Sequence, residues 1–128
     1  MRIAALMLAL ALLPQAVFAA PEKYAIDIPG QHAFIQFKIK HLGYSWLLGD
    51  FRKFDGSFVY DPENPANNSV SVTVDTRSLD SNHAERDKHL KGSDFLDVER
   101  FPEATFNSEK VTATADGNML IEGKLSLH

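Results

Sequence analysis

Apolar and polar residues alternate along most of this chain. From His32 to His41, Ala33, Ile35, Phe37 and Ile39 alternate with Phe34, Gln36, Lys38 and Lys40, the period of a half-buried strand. Phe54, Gly56, Phe58 and Tyr60 repeat the pattern until Asp61-Pro62-Glu63-Asn64-Pro65 stops it, because prolines and Asx residues favour turns over strand pairing. Ser69 to Asp75 alternates most cleanly, with Val70, Val72 and Val74 on one side and hydroxyl or acidic residues on the other. Thr105 to Ala115 reads as a weaker strand, and Asp116-Gly117 is a hairpin turn signal. Beyond it, Ile121, Leu125 and Leu127 share one face, with Gly123 between them.

One stretch departs from this period. Asn82, with Glu85 three residues on, predicts a capped, very polar helix over His83–Leu90. Ser93 predicts the cap of a second turn that holds Phe95, Leu96 and Val98 and ends at Pro102. About six strands, short turns and a helical crossover predict an all-β fold, an antiparallel barrel or sandwich. A barrel with room for a ligand needs about eight strands. The sequence stops inside a strand, at Leu125-Ser126-Leu127-His128, so the expectation is a fold whose C-terminal strands are missing.

The first residues carry a different signal. Arg2, the apolar run Ile3 to Leu13 and the small residues of Val17-Phe18-Ala19 predict a cleaved secretory signal over residues 1–19. The domain is then expected over residues 20–128. A run of about eleven apolar residues is too short for a bilayer core that needs about twenty. No second run is long enough either, so no stable membrane insertion is expected, and the signal predicts a protein that works outside the cytoplasm. Loss of Arg2 alone takes the formal charge from −4 to −5. Such a balance does not attract nucleic acid or anionic lipid surfaces. The chain has no cysteine, so its stability rests on a hydrophobic core without disulfides.

Candidate chemistry is sparse. His83 and Asp87 stand four apart near His89, but a zinc site needs three or four converging ligands. The simpler reading is a solvated helix with Glu85–Lys88 and Asp87–Lys91 charge pairs. No metal or cofactor is expected. The sequence has no nucleophile elbow, zincin motif or Gly-rich phosphate loop, so no catalytic residue is expected. The enzyme alternative would use His32, His41 or His83 as a base on an apolar metabolite. Aromatics, by contrast, crowd between Phe34 and Tyr60, around Gly43, Gly49 and Gly56. Flat side chains beside glycines suit a hollow for an apolar guest, since glycine lets a ligand approach. The other alternative is a ligand-free, stress-related structural protein with a filled core.

Gly30-Gln31-His32-Ala33-Phe34, Phe37-x-Ile39-x-His41-Leu42-Gly43-Tyr44-Ser45-Trp46 and Gly49-x-Phe51-x-x-Phe54-x-Gly56 resemble the YceI family of exported, lipocalin-like proteins. Asn82 to Leu90, Asp94-Phe95-Leu96 and Phe101-Pro102-x-Ala104-x-Phe106 are similar to it in the same order. The resemblance implies a lipocalin-like antiparallel β-barrel of eight strands around an apolar tunnel, with a short helical insertion, incomplete in this chain. It also implies binding of an isoprenoid lipid, such as an isoprenoid quinone or polyprenyl phosphate, in the periplasm. It carries over no catalytic residue. Alternation and aromatic content select Phe37, Ile39, Trp46, Phe51, Phe54, Phe58, Val72, Val74, Phe95 and Phe106 as the lining for such a tail. Besides the lipid, a homodimer is the partner state left open.

Overall fold

The computed structural model describes residues 20–30 and 32–128, and the expected signal over residues 1–19 lies outside the described residues. In chain order the elements are β1 (Glu22–Ala25), β2 (Ile35–His41), β3 (Ser45–Phe51), β4 (Phe54–Tyr60), β5 (Ser69–Asp75), the two-residue β6 (Leu79–Asp80), α1 (Ala84–Lys91), β7 (Glu103–Ala113) and β8 (Met119–Ser126). All strand pairs are antiparallel. They form one sheet in the order β1-β4-β5-β7-β8 and another in the order β2-β3-β6. The fold is therefore all-β with a short helical insertion. The barrel is not closed, and β1, β8, β2 and β6 are sheet edges.

Alternation located β4, β5, β7 and β8 to within a few residues. The expected strand from His32 begins instead at Ile35, after a segment in which His32 Nδ1 meets Asp27 Oδ2 at 2.8 Å. Two strands carry no clean period-two signature in the sequence. β1 is short, although Tyr24, Ile26 and Ile28 alternate. β3 runs Trp46-Leu47-Leu48-Gly49, apolar on both faces, because its outer side chains are exposed rather than polar.

The hairpin at Asp116-Gly117 forms as expected. Gly117 takes φ 81°, and Thr114 N donates to Asn118 O at 2.9 Å. The β2–β3 turn is less orthodox. Its central residues are Leu42 (φ 51°) and Gly43 (φ 83°). The left-handed region costs an L-residue about 1–2 kcal/mol, and Asn-Gly is the usual pair for such turns.

The helix starts one residue later than expected. Asn82 sits at φ 62° with its N–H on Asp80 Oδ1 (2.8 Å), so it belongs to the preceding turn. His83 is the cap, its Nδ1 accepting from Arg86 N at 3.3 Å. Asp87, expected to pair with Lys91, accepts instead from the N–H of buried Ser81 (2.8 Å) and from its hydroxyl. Arg86 Nε donates to Ser81 Oγ (2.7 Å), and together these bonds fasten the helix to β6. No second helix forms on Ser93. Hydrogen-bonded turns take its place, with Leu96 N on Leu90 O and Val98 N on Lys91 O, each at 3.1 Å.

One corner sets the architecture. Arg52 N donates to Ser78 O (3.1 Å), Lys53 N to Ser78 Oγ (2.9 Å) and Asp75 N to Lys53 O (2.9 Å). The chain therefore leaves one sheet at Phe51 and enters the other at Phe54. Thr76, fully buried, donates from Oγ1 to Phe101 O (2.7 Å) and from N to Pro102 O (3.0 Å). That ties the helical crossover to the end of β5. Among the described residues the buried apolar core is small, comprising Val74, Leu79, Val98, Ala104 and Val111.

Candidate functional site

Residues directly opposite in an antiparallel pair share a sheet face. On the five-stranded sheet, the register aligns Tyr24 with Phe58 and Val70, Gly56 with Val72, Phe106 and Leu125, and Phe54 with Val74 and Ala104. Beyond a bulge between Ser108 and Lys110, the face continues through Val111 opposite Ile121. The other side is polar, and Ser71 Oγ there donates to Asn107 Oδ1 at 2.8 Å. On the three-stranded sheet, Ile35, Phe37 and Ile39 lie opposite Phe51, Gly49 and Leu47, with Phe51 also opposite Leu79.

The two apolar faces meet at the Phe51–Phe54 corner. A hollow of about 300 Å³ there is bordered by Ile28, Phe34, Ile35, Phe51 and Phe54, with Asp50 and Arg52 also on its wall. Tyr24 and Phe58 stack with ring centroids 5.0 Å apart, and Phe37 and Phe51 stand tilted at 5.9 Å. The Tyr24 hydroxyl donates to the Glu22 carboxylate, and that bond holds the phenol above its ordinary value. It gives one end of the apolar face a fixed polar group.

Of the residues selected from the sequence, Phe54, Phe58, Val72, Val74 and Phe106 thus share the larger sheet's apolar face. Phe37, Ile39 and Phe51 share the smaller one. Trp46 is separated from both. It pairs with Lys40 on the opposite side of the small sheet, and Lys38 Nζ lies 4.3 Å from its ring centroid. Phe95 belongs to the crossover, where it meets His89 edge-on at 5.0 Å. Alternation in β1 and β8 could have added Tyr24, Ile121 and Leu125, which share the face.

Gly49 and Gly56 do not serve as expected, whereas Gly43 in the β2–β3 turn has open space beside it. The space beside Gly49 is filled by the Phe37 ring, that beside Gly123 by Phe106 (2.8 Å to its Cζ), and that beside Gly56 by Ile26 (2.6 Å to its Cδ1). They admit neighbouring side chains rather than a guest.

The opposite side of the small sheet is electrostatic. Asp50 and Asp80 are directly paired, and like charges so placed repel. Arg52 answers both, with Nε 3.0 Å from Asp50 Oδ1 and a guanidinium nitrogen 3.2 Å from Asp80 Oδ2. The Asn82 N–H, and then Arg52, hold the Asp80 carboxyl below its ordinary value. A hollow of about 340 Å³ beside them is of mixed character, lined by Lys38, Asp50, Arg52 and Asp80 together with Phe37 and Leu48.

The histidines do not converge. His32 faces Asp27, whose carboxyl is lowered first by that bond and then by the Gly30 N–H. His41 ends β2, His83 caps α1, and His128 meets the Phe101 ring at 4.4 Å. Among the described residues no group of three or more His, Cys, Asp or Glu side chains could hold a metal ion. Among them, too, no helix is long and apolar enough to cross a membrane.

Comparison with known proteins agrees with this architecture. Residues 24–128 match the YceI-like domain. A UPF0312 protein of Yersinia pestis (strain Pestoides F) is 56% identical over 110 residues, covering 86% of this chain and 57% of that protein. A UPF0312 protein of Photorhabdus laumondii is 53% identical over 118 residues, 92% of this chain and 61% of its own length. The chain thus spans less than two thirds of the length of these relatives. Among solved structures, Burkholderia cenocepacia BcnA superposes with a TM-score of 0.67 at 28% identity, covering 73% of this chain and 58% of that one. The Campylobacter jejuni YceI protein gives 0.61 at 28% identity, over 77% and 57%.

Proposed function

We propose, from the premise that this chain belongs to the family of YceI-like domains, that it binds and carries an apolar isoprenoid lipid of the quinone or polyprenyl phosphate type. The observation that carries the reading is the continuous apolar face through Phe58, Val72, Phe106, Leu125 and Ile121. Phe58, Leu125 and Ile121 on it remain exposed. A contiguous apolar surface of this kind on a protein in water marks a binding site. Burying a methylene there is worth about 0.8 kcal/mol, so a long tail needs no charged anchor. The Phe51–Phe54 corner offers one end of the path, and the Tyr24–Glu22 pair a polar group near a head. Export to the periplasm by the first 19 residues belongs to the same proposal.

Extraction of the purified protein followed by mass spectrometry tests it. Co-purified isoprenoid lipid, and saturable uptake of a quinone or polyprenyl analogue, are the expected results. Repeated absence of both would overturn the reading. Replacing His32, His41 or His83 by alanine should leave that uptake unchanged, whereas turnover abolished by one of them would favour an enzyme.

A further inference from the structure

We propose that the β2–β3 hairpin is a docking element for the surface of an anionic phospholipid bilayer. This goes beyond binding of a single lipid on the apolar face and does not rest on it, because the residues concerned lie on the turn and on the opposite side of the small sheet.

Leu42 and Tyr44 at the turn are 71% and 80% exposed, and Trp46 on the adjoining outer face is 55% exposed. Leu48 follows Trp46 on that face, and both are flanked across the pair by lysines, Lys40 opposite Trp46 and Lys38 opposite Leu48. Trp and Tyr with lysines beside them are the side chains that settle at a membrane interface, ring at the headgroups and ammonium on phosphate.

Folding alone does not explain this arrangement. Leu42 occupies a left-handed position (φ 51°) where asparagine would be at ease. A large apolar side chain held in an unfavourable backbone conformation and turned to water points to a role outside the fold.

Charge identifies the partner. The whole chain is acidic, at −4, and by that measure it should avoid anionic surfaces. Yet no Asp or Glu occurs from Ile28 to Gly49, a stretch that contains Lys38 and Lys40. The carboxylates that follow on the same face, Asp50 and Asp80, are answered by Arg52. Lys38 shares a hollow with Asp50, Arg52 and Asp80. Fields beyond about 8 Å are screened at physiological salt, and with Lys40 added the face keeps a net positive charge carried by its lysines. Their attraction is to phosphate headgroups, and the exposed rings and Leu42 fix the hairpin at bilayer depth. Contact of this kind is peripheral and needs no spanning segment.

Trp46 is the single tryptophan of the chain, so its emission reports on the hairpin directly. The test titrates the protein with vesicles of phosphatidylcholine alone and of phosphatidylcholine and phosphatidylglycerol in equal parts, with flotation as a second measure of binding. A blue shift and co-flotation with the anionic vesicles only, both reversed by high salt, are expected. Replacing Lys38 and Lys40 by glutamine should lower partitioning about thirtyfold, since each basic residue near the surface contributes about 1 kcal/mol. Leu42→Asn should lower it about tenfold while leaving the urea midpoint unchanged or raised. Uptake of a quinone analogue by Leu42→Asn should stay unchanged, which separates failure of docking from failure of carriage. Unshifted emission with anionic vesicles, equal binding to neutral vesicles, or undiminished docking of Leu42→Asn would each overturn the proposal.

Discussion

Phe37 lays its ring across Gly49, its direct partner on the neighbouring strand, and a Cβ at that glycine would stand 2.9 Å from ring atom Cε2. In the other sheet Gly123 pairs with Ser108, and a Cβ there would meet the Asn107 backbone oxygen and, diagonally, the Phe106 ring. Each sheet thus carries an aromatic ring lying over a strand that lacks a side chain.

Gly49→Ala and Gly123→Ala should therefore destabilise the protein by about 1–3 kcal/mol each, the usual consequence of inserting a methyl group into a filled space. Urea unfolding measures the effect. A neutral result at Gly49 would mean that the Phe37 ring is free to swing away.

Tail length should govern ligand affinity. Each additional methylene buried on the Phe58–Val72–Phe106–Leu125 face is expected to tighten binding up to about fourfold, the equivalent of 0.8 kcal/mol, until the face is covered. Val72→Asp, placing a carboxylate in the middle of that face, should abolish binding. A series of prenyl analogues of increasing length shows whether the increment and the plateau exist.

Helix α1 should respond to its cap. His83→Ala removes the acceptor for the Arg86 N–H and is expected to lower stability by about 1 kcal/mol. His83→Asp keeps an acceptor and adds a charge that favours the helix N-terminus, so it should match or exceed the parent. Thermal unfolding of the pair distinguishes a capping role from a surface histidine.

Acid should unfold the protein through its aspartates. Asp61 is held below its ordinary value of 3.8 chiefly by the Asn67 amide, Asp75 by Arg77, Asp80 by the Asn82 N–H and Asp116 by Thr114. A carboxyl lowered in the folded state contributes stability that is complete above the unfolded value and is lost as pH falls through the folded one. The urea midpoint should hold on acidification until about pH 5 and drop below about pH 4. Asp61→Asn should make that drop shallower.

The elements most legible in the sequence were those with a local physical cause. Val70, Val72 and Val74 alternate because successive side chains of a strand point to opposite faces. Asp116-Gly117 marks a hairpin because glycine accepts the left-handed conformation that Gly117 adopts. The helix was misplaced by one residue, because the Asp80 carboxylate draws the Asn82 N–H and leaves His83 to cap. β3 went unread because Trp46 and Leu48 are apolar on a solvent face, so hydropathy no longer records which side is in. Of the expected lining, the residues on β4, β5 and β7 were placed together. Trp46 fell on the other side.

The sequence by itself determined the strand period, the polar helix, the turn positions and the aromatic richness from which an apolar site was expected. Only the tertiary structure decided which alternating sets combine. Side-chain period is a property of one strand, but the phase between strands is set by the backbone ladder and by the turns that start it. The Arg52–Ser78–Lys53 corner then divides the strands into two sheets through bonds between residues some 25 positions apart. Contacts of that range leave no periodic trace in the chain, and so the filled glycines, the displaced Trp46 and the exposed hairpin became visible only in three dimensions.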